Sequence, residues 1–213
     1  MSQRRSSGRR RRKSADSGAE KWKNKIWLNV KTPDYIDEKS LGETPTSNTD
    51  TAIGRTIKTT LMDLTGSFKD LNYQLTFKIS EINGTQAKTE FYEHELSRDF
   101  RRSQIRNHRS QIEGIFNLKL TDGAKIRVKM FVVTPMRAHS SVKKAIRETM
   151  EKRLLELATE LSFPAFVNKL ISYELRDELI PLVEAIYPIK LLEVSKVKVL
   201  RYPGGVSPHL SAA

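Results

Sequence analysis

The chain has 213 residues, 38% of them hydrophobic, which suffices for one main domain with a sizeable core and a helical appendage. Its 38 Lys and Arg outweigh 25 Asp and Glu to give a formal net charge of +13, an imbalance that favours a polyanionic partner, either nucleic acid or an anionic membrane. The absence of cysteine excludes disulfides, thiolate zinc sites and cysteine nucleophiles, and no run approaches the roughly 20 apolar residues that cross a bilayer.

Residues 1–20, "MSQRRSSGRRRRKSADSGAE", are mostly Arg, Ser and Gly, with too little apolar surface to offset the entropy lost on folding. They are expected to form a disordered basic arm, without the apolar core of a secretory signal. The arm carries Arg4, Arg5, Arg9, Arg10, Arg11, Arg12 and Lys13 against Asp16 and Glu20, a net of +5 that leaves +8 on residues 21–213. The body is therefore basic in its own right. An anchor in a membrane surface would need apolar residues to insert, and the arm lacks them, so nucleic acid is the favoured partner and an intracellular, cytoplasmic protein the expectation.

Order is expected from "KWKNKIWLNV", where Trp22, Ile26, Trp27, Leu28 and Val30 are the first large apolar groups, among Lys21, Lys23 and Lys25. "TPDYIDEKSLGETPTSNTD" then reads as a long loop. Strand patterns follow: "IGRTIKTTL" alternates Ile53, Arg55, Ile57, Thr59 and Leu61, and "LNYQLTFKI" places Leu71, Tyr73, Leu75, Phe77 and Ile79 on one face. Asn83-Gly84 tolerates the positive φ of a tight hairpin, after which "TQAKTEF" returns.

"RDFRRSQIRNHRSQI", Arg98 to Ile112, carries Arg101, Arg102, Arg106, His108 and Arg109 with no acid between Asp99 and Glu113. At about 100° per residue, a helix here gathers Arg98, Arg109, Arg102 and Arg106 into an arc of about 80°, with Leu96, Phe100 and Asn107 opposite. Ile105 falls among the arginines. Either the helix is short and gives way to an extended loop, or Ile105 packs outside it. Glu95 can reach Arg98 and Asp99 can reach Arg102, but Arg101, Arg106 and Arg109 have no local acid; distant helices or an external anion must serve them. Arginine's planar fork suits phosphate and bases better than lysine's point charge does, which leans towards RNA or DNA.

"IEGIFNLKL" and "AKIRVKMFVV" flank Asp122-Gly123, a second hairpin signal, and the latter strand places Lys125, Arg127 and Lys129 on one cationic face. "SSVKKAIRETMEKRLLELATEL" spaces Val142, Ile146, Met150, Leu154, Leu157 and Leu161 as the stripe of an amphipathic helix with serine at its start. Arg137, Lys143 and Lys144 at this junction complete the candidate RNA-binding set. "SFPAFVNKLI", with Ser162 as candidate cap, and "YELRDELIPLVEAIYP", with Pro181 as candidate interruption, read as further helices. "IKLLEVSKVKVL" reads as a basic closing strand.

The expected fold is α+β: a small antiparallel β-barrel of about six or seven strands, or a strongly curved sheet, followed by two or three packed helices and a strand that pairs back. In domain terms, residues 1–20 are the arm and 21–201 one domain, β-barrel mainly over 21–135, helical over 140–187 and closing strand over 189–200. Residues 202–213 are expected to be a flexible tail.

Catalytic signals are missing. His94-Glu95 lacks the second histidine of a zinc helix, since position 98 is arginine, and His94, His108, His139 and His209 are scattered and read as surface or hydrogen-bonded groups. There is no phosphate loop or nucleophile elbow, and the acids of the late helices alternate with Lys152, Arg153, Lys169 and Arg176 as a solvated surface does. No enzyme activity, metal or cofactor is expected. Nor is a helix-turn-helix or zinc module visible, so irregular folded RNA fits better than duplex DNA.

In order along the chain, "KWKNKIWLNVKTP", "LGETPTS", "DLTGSF", "HELSRDFRRSQIRNHRSQIEG", "DGAKIRVKMFVVTPMRA" and "YPIKLLEVSKVKVL" resemble the small-subunit ribosomal protein three-A family, the eS-one family, over about residues 21–201. The resemblance implies a β-barrel with accompanying helices, a structural and non-enzymatic role in the small ribosomal subunit, and contact with small-subunit rRNA on the platform near the messenger exit site. It implies neighbouring ribosomal proteins as partners, and messenger RNA near the exit site as a further one, without a membrane or a homo-oligomer. The chain stops soon after the closing strand, as archaeal members do. The arm lies outside the shared motifs, and its expected RNA contacts rest on electrostatics. A free-standing RNA-binding or chaperone-like module is the alternative.

Overall fold

In the computed structural model, which describes Trp22 and residues 25–205, the alternating runs become an eight-stranded sheet and the 3.6-period runs a layer of helices on it. The strands are β1 (Ile26–Lys31), β2 (Ser40–Thr46), β3 (Thr56–Thr60), β4 (Tyr73–Asn83), β5 (Gln86–Leu96), β6 (Gln111–Lys119), β7 (Lys125–Val133) and β8 (Leu191–Arg201). The helices are α1 (Leu61–Thr65), α2 (Arg98–Gln104), α3 (Ser140–Glu160), α4 (Phe163–Ile171) and α5 (Glu174–Glu184).

The α+β class holds, but the sheet is not closed into a barrel. β4 pairs along one edge of β5, while β1 and β8 share the other edge, β1 in parallel at Gln86–Lys88 and β8 antiparallel at Glu93–Glu95. The sheet therefore forks at β5, with β2 beyond β1, and β7 and β6 beyond β8. Among the described residues β3 pairs only with β4, β2 and β6 end the path without meeting, and α3 and α5 pack on β6 and β8.

Both hairpin signals form their turns: Gly84 (φ +61°) and Gly123 (φ +78°) take the left-handed conformation that a side chain disfavours. β2 lies inside the stretch read as loop. Gly42 and Pro45 hide its strand character, and an edge position accommodates proline because one row of backbone groups needs no partner. The strand read over Ile53 to Leu61 ends at Thr60, whose side chain and Asp63 form a reciprocal capping box that starts α1. Leu71, placed on the buried face of β4 by alternation, instead sits in a 3-10 turn (Phe68–Asn72) and is 53% exposed.

α3 buries Ile146, Met150, Leu154 and Leu157, the predicted stripe, against β6 and α5. Its cap is His139, one residue before the expected serine. Ser162 does occupy the cap position of α4 but its side chain accepts no capping bond; the Phe163 N–H donates to Asp122 Oδ2 of the β6–β7 hairpin at 2.8 Å. Pro181 lies inside α5 without ending it.

The main core joins the sheet's inner face (Leu75, Phe77, Phe91, Ile126, Val128, Val197) to the helices. A smaller cluster of Leu28, Val30, Ala52, Ile79 and Ala87 fills the β1 side. Two boundaries shift. Trp27 is 53% exposed and Leu28 is core, because β1 alternates from Leu28. At the other end, Tyr202 belongs to the core rather than to a tail, its hydroxyl donating to the Phe91 carbonyl at 3.0 Å.

Candidate nucleic-acid interface

The arginine segment divides at Ile105. α2 runs from Arg98 to Gln104; Ile105 is extended (φ −82°, ψ 113°) and 43% exposed, so the short-helix alternative is the one adopted. Arg106 to Arg109 then follow in a loop, with His108 in the left-handed region at φ +68°. The apolar face of α2 is small, since Phe100 is its half-buried anchor. A guanidinium supplies the second anchor: Arg101 reaches β8 and donates to Ser195 Oγ at 3.1 Å. Arg109 turns back to donate to the Gln104 carbonyl at 3.3 Å. Arg98, Arg102 and Arg106 remain exposed, as does His108. Among the described residues, no arginine between 98 and 109 forms an ion pair.

The cationic sheet face is wider than Lys125, Arg127 and Lys129. Strand register sets Arg127 beside Lys198, Lys129 beside Lys196, and Lys125 between Lys119 and Arg201. Alternation buries Ile126 and Val128 on β7 and Val197 and Val199 on β8, which turns these cations outward together. Lys119, Lys196, Lys198 and Arg201 were not among the sequence candidates, although the Lys-Val-Lys-Val alternation of β8 carries the same signal as β7.

Part of this face is neutralised internally. Lys129 lies 2.6 Å from Glu113, and Lys196 lies 2.7 Å from Glu93 and 3.5 Å from Glu95. Burial works against the Glu113 charge, but the Lys129 bond and charge, Gln111 and Arg101 together hold its pKa below the ordinary carboxylate value. Burial likewise opposes the Lys196 charge, and Glu93 and Glu95 outweigh it and raise the pKa. Arg127 donates to Asn117 Oδ1 at 2.9 Å, which orients the guanidinium without neutralising it.

Of the remaining candidates, Lys25 sits with Nζ 3.4 Å from the centroid of the Trp22 ring, and Arg137 is exposed beside α3. Lys143 is half-buried, and Lys144 faces Glu148 at 3.7 Å. Arg4, Arg5, Arg9, Arg10, Arg11, Arg12, Lys13, Lys21 and Lys23 lie outside the described residues.

His94 corrects the expectation of a surface or hydrogen-bonded histidine. It is core, stacked on the Tyr73 ring at 5.7 Å, and its Nδ1 has no hydrogen-bond partner among the described residues. Burial pushes its pKa down to about 4. Nearby, Glu193 is 5% exposed, accepts from Arg176 at 3.1 Å, and is raised by burial more than Arg176 lowers it. This cluster ties α5 to β5 and β8. Among the described residues there is no group of three metal-ligating side chains, and no helix is long and apolar enough to cross a membrane.

The surface thus offers guanidinium forks on α2 and its loop, and a row of lysine and arginine on β7 and β8, the chemistry of phosphate contact. The Ribosomal S3Ae family matches residues 13–203 of this chain. The small ribosomal subunit protein eS1 of Saccharolobus solfataricus is 40% identical over 202 residues, covering 94% of this chain and 97% of the relative. That of Desulfurococcus amylolyticus is 39% identical over 189 residues, 89% of each chain. That of Saccharolobus islandicus is 37% identical over 194 residues, 91% of this chain and 93% of the relative.

Proposed function

Because the chain belongs to the Ribosomal S3Ae family, we propose that it is a structural constituent of the small ribosomal subunit and acts in the cytoplasm by holding folded small-subunit rRNA. The observation that carries this is the 40% identity to a small ribosomal subunit protein across nearly the full length of both chains. The electrostatics agree: the exposed arginines of α2 and the β7–β8 cations have too few intramolecular acids, and rRNA phosphates would complete them.

Binding works through phosphate neutralisation and shape fit rather than base reading, because among the described residues the cations lie on one sheet face and one short helix, with no element built to enter a groove. The seven Arg and Lys of the arm add phosphate contacts. Position on the platform near the messenger exit site, with neighbouring ribosomal proteins and messenger RNA in reach, is the finer form of the proposal, as is a role without catalysis.

Sedimentation of cell extract tests it. Co-migration of the protein with small subunits after a moderate salt wash is the expected result. A slow-sedimenting pool that binds many RNAs would contradict it and favour the free-standing chaperone-like module.

A further inference from the structure

Between the β3–β4 edge and α2 lies a cleft of about 430 Å³ lined by Lys58, Gln74, Glu95, Leu96, Ser97, Arg98, Asp99 and Arg102. A second cleft of about 430 Å³ on the helical side is lined in part by Arg153, Glu156 and Glu178, and there the arginine is already held by both glutamates. In the α2 cleft, Lys58, Arg98 and Arg102 have no ion pair among the described residues. Its two acids, Glu95 and Asp99, oppose three cations, and Glu95 also lies 3.5 Å from Lys196. The cleft is therefore a concave site with positive charge in excess.

The turn bonded to the start of α2 carries an exposed aromatic ring. The Ser97 N–H donates to the Asn72 carbonyl at 2.7 Å and so joins the start of α2 to the Phe68–Asn72 turn. Phe68 on that turn is 84% exposed. The exposure does not come from a loose loop. Buried Asp70 accepts from Thr65 and from Tyr173, Gly66 ends α1 in the left-handed conformation, and the Thr60–Asp63 capping box starts it. The chain thus holds an apolar ring in solvent from a turn fastened at both ends.

We propose that this cleft binds an unpaired RNA strand, with Lys58, Arg98 and Arg102 on successive backbone phosphates and Phe68 stacked on an adjacent base. A cationic groove beside an aromatic face is the arrangement by which single strands are held without sequence readout. The inference rests on the RNA-binding reading above and names the kind of RNA that this part of the surface takes. Arg106 and the β7–β8 cations stay available for duplex phosphates.

The test measures affinity of the full chain for a fluorescein-labelled single-stranded uridine dodecamer and for a twelve-base-pair RNA duplex, across a salt titration. Lys58→Ala with Arg98→Ala and Arg102→Ala should weaken the strand by at least tenfold and the duplex by less than threefold. The strand's salt slope should fall by about 2, at roughly 0.7 per phosphate. Phe68→Ala should weaken the strand by at least about fivefold and leave its slope unchanged, since stacking releases no counterions. All four residues are exposed, so thermal midpoints should match the wild type. Equal losses on strand and duplex, wild-type affinity in the triple variant, or no effect of Phe68→Ala would overturn the cleft while leaving RNA binding in place. Failure of the wild-type chain to bind either RNA would remove the RNA-binding reading itself.

Discussion

The arginines of α2 and those of the helical layer are neutralised in opposite ways. In α3 to α5, Arg153 bonds Glu156 and Glu178, Lys169 bonds Glu178, and Arg176 bonds Asp177 and buried Glu193. In α2 and the loop after it, arginine meets a hydroxyl at Ser195, a carbonyl at Gln104, or solvent. The helical layer interleaves acids at helical spacing, whereas Arg101 to Arg109 contain none. Exposed pairs contribute little to stability, so the contrast concerns what each surface can offer an outside anion. Around Glu178 and Glu193 the cations are paired within the protein, and along α2 the arginines are not.

The largest effect should come from the deepest pair of the helical layer. Arg176→Leu leaves Glu193 buried without its cation and should destabilise the fold by roughly 3 kcal/mol, read as a lower denaturant midpoint, with RNA affinity per folded molecule unchanged. An RNA-binding loss without a stability loss would put a phosphate contact among the cations paired within the protein.

Next in size is the pH dependence set by His94. It shares a small cavity with Tyr73, Tyr173, Arg176 and Glu193, and the folded chain keeps it neutral down to about 4, whereas the unfolded chain titrates near 6.5. Between those values the unfolded state binds more protons, so stability is full above pH 6.5 and falls as pH drops towards 4. His94→Leu should flatten the curve in that window, the difference from wild type approaching about 3 kcal/mol at pH 4. Parallel curves for the two proteins would mean that the imidazole is solvated.

The smallest effect belongs to Arg153→Gln. Its partners are partly exposed, so the urea unfolding midpoint should barely shift, and RNA affinity should not move. A tenfold loss of RNA affinity in this variant would erase the distinction between the two sets of cations.

Much of this was readable in the sequence, for physical reasons that also explain what was not. β4, β6, β7 and α3 each bury one face, and burial on one face imposes the periodicity that identifies them. β2 is an edge strand with Gly42 and Pro45, so its pairing depends on β1 and not on its own residues. The parallel contact of β1 with β5 and the fork of the sheet are long-range, and no local pattern encodes them. α1 was hidden because its capping threonine falls inside an alternating run, although the Thr60–Asp63 spacing was there to be seen. At the site, Ile105 marked the end of α2 because an apolar residue among arginines has no partner on that helix. The inward turn of Arg101 was not legible, since Ser195 lies 94 residues away. Lys196 and Lys198 are legible in the Lys-Val-Lys-Val alternation of β8.

The most direct measurement is a salt titration of small-subunit rRNA binding by the wild-type chain and by Arg102→Glu with Arg106→Glu, with thermal unfolding recorded on the same samples. If these arginines contact phosphate, the variant should bind on the order of tenfold or more weakly, with a salt slope shallower by about 2 and a midpoint close to wild type. A variant that unfolds early, with binding that merely follows the folded fraction, or one that keeps the wild-type slope, would contradict the account.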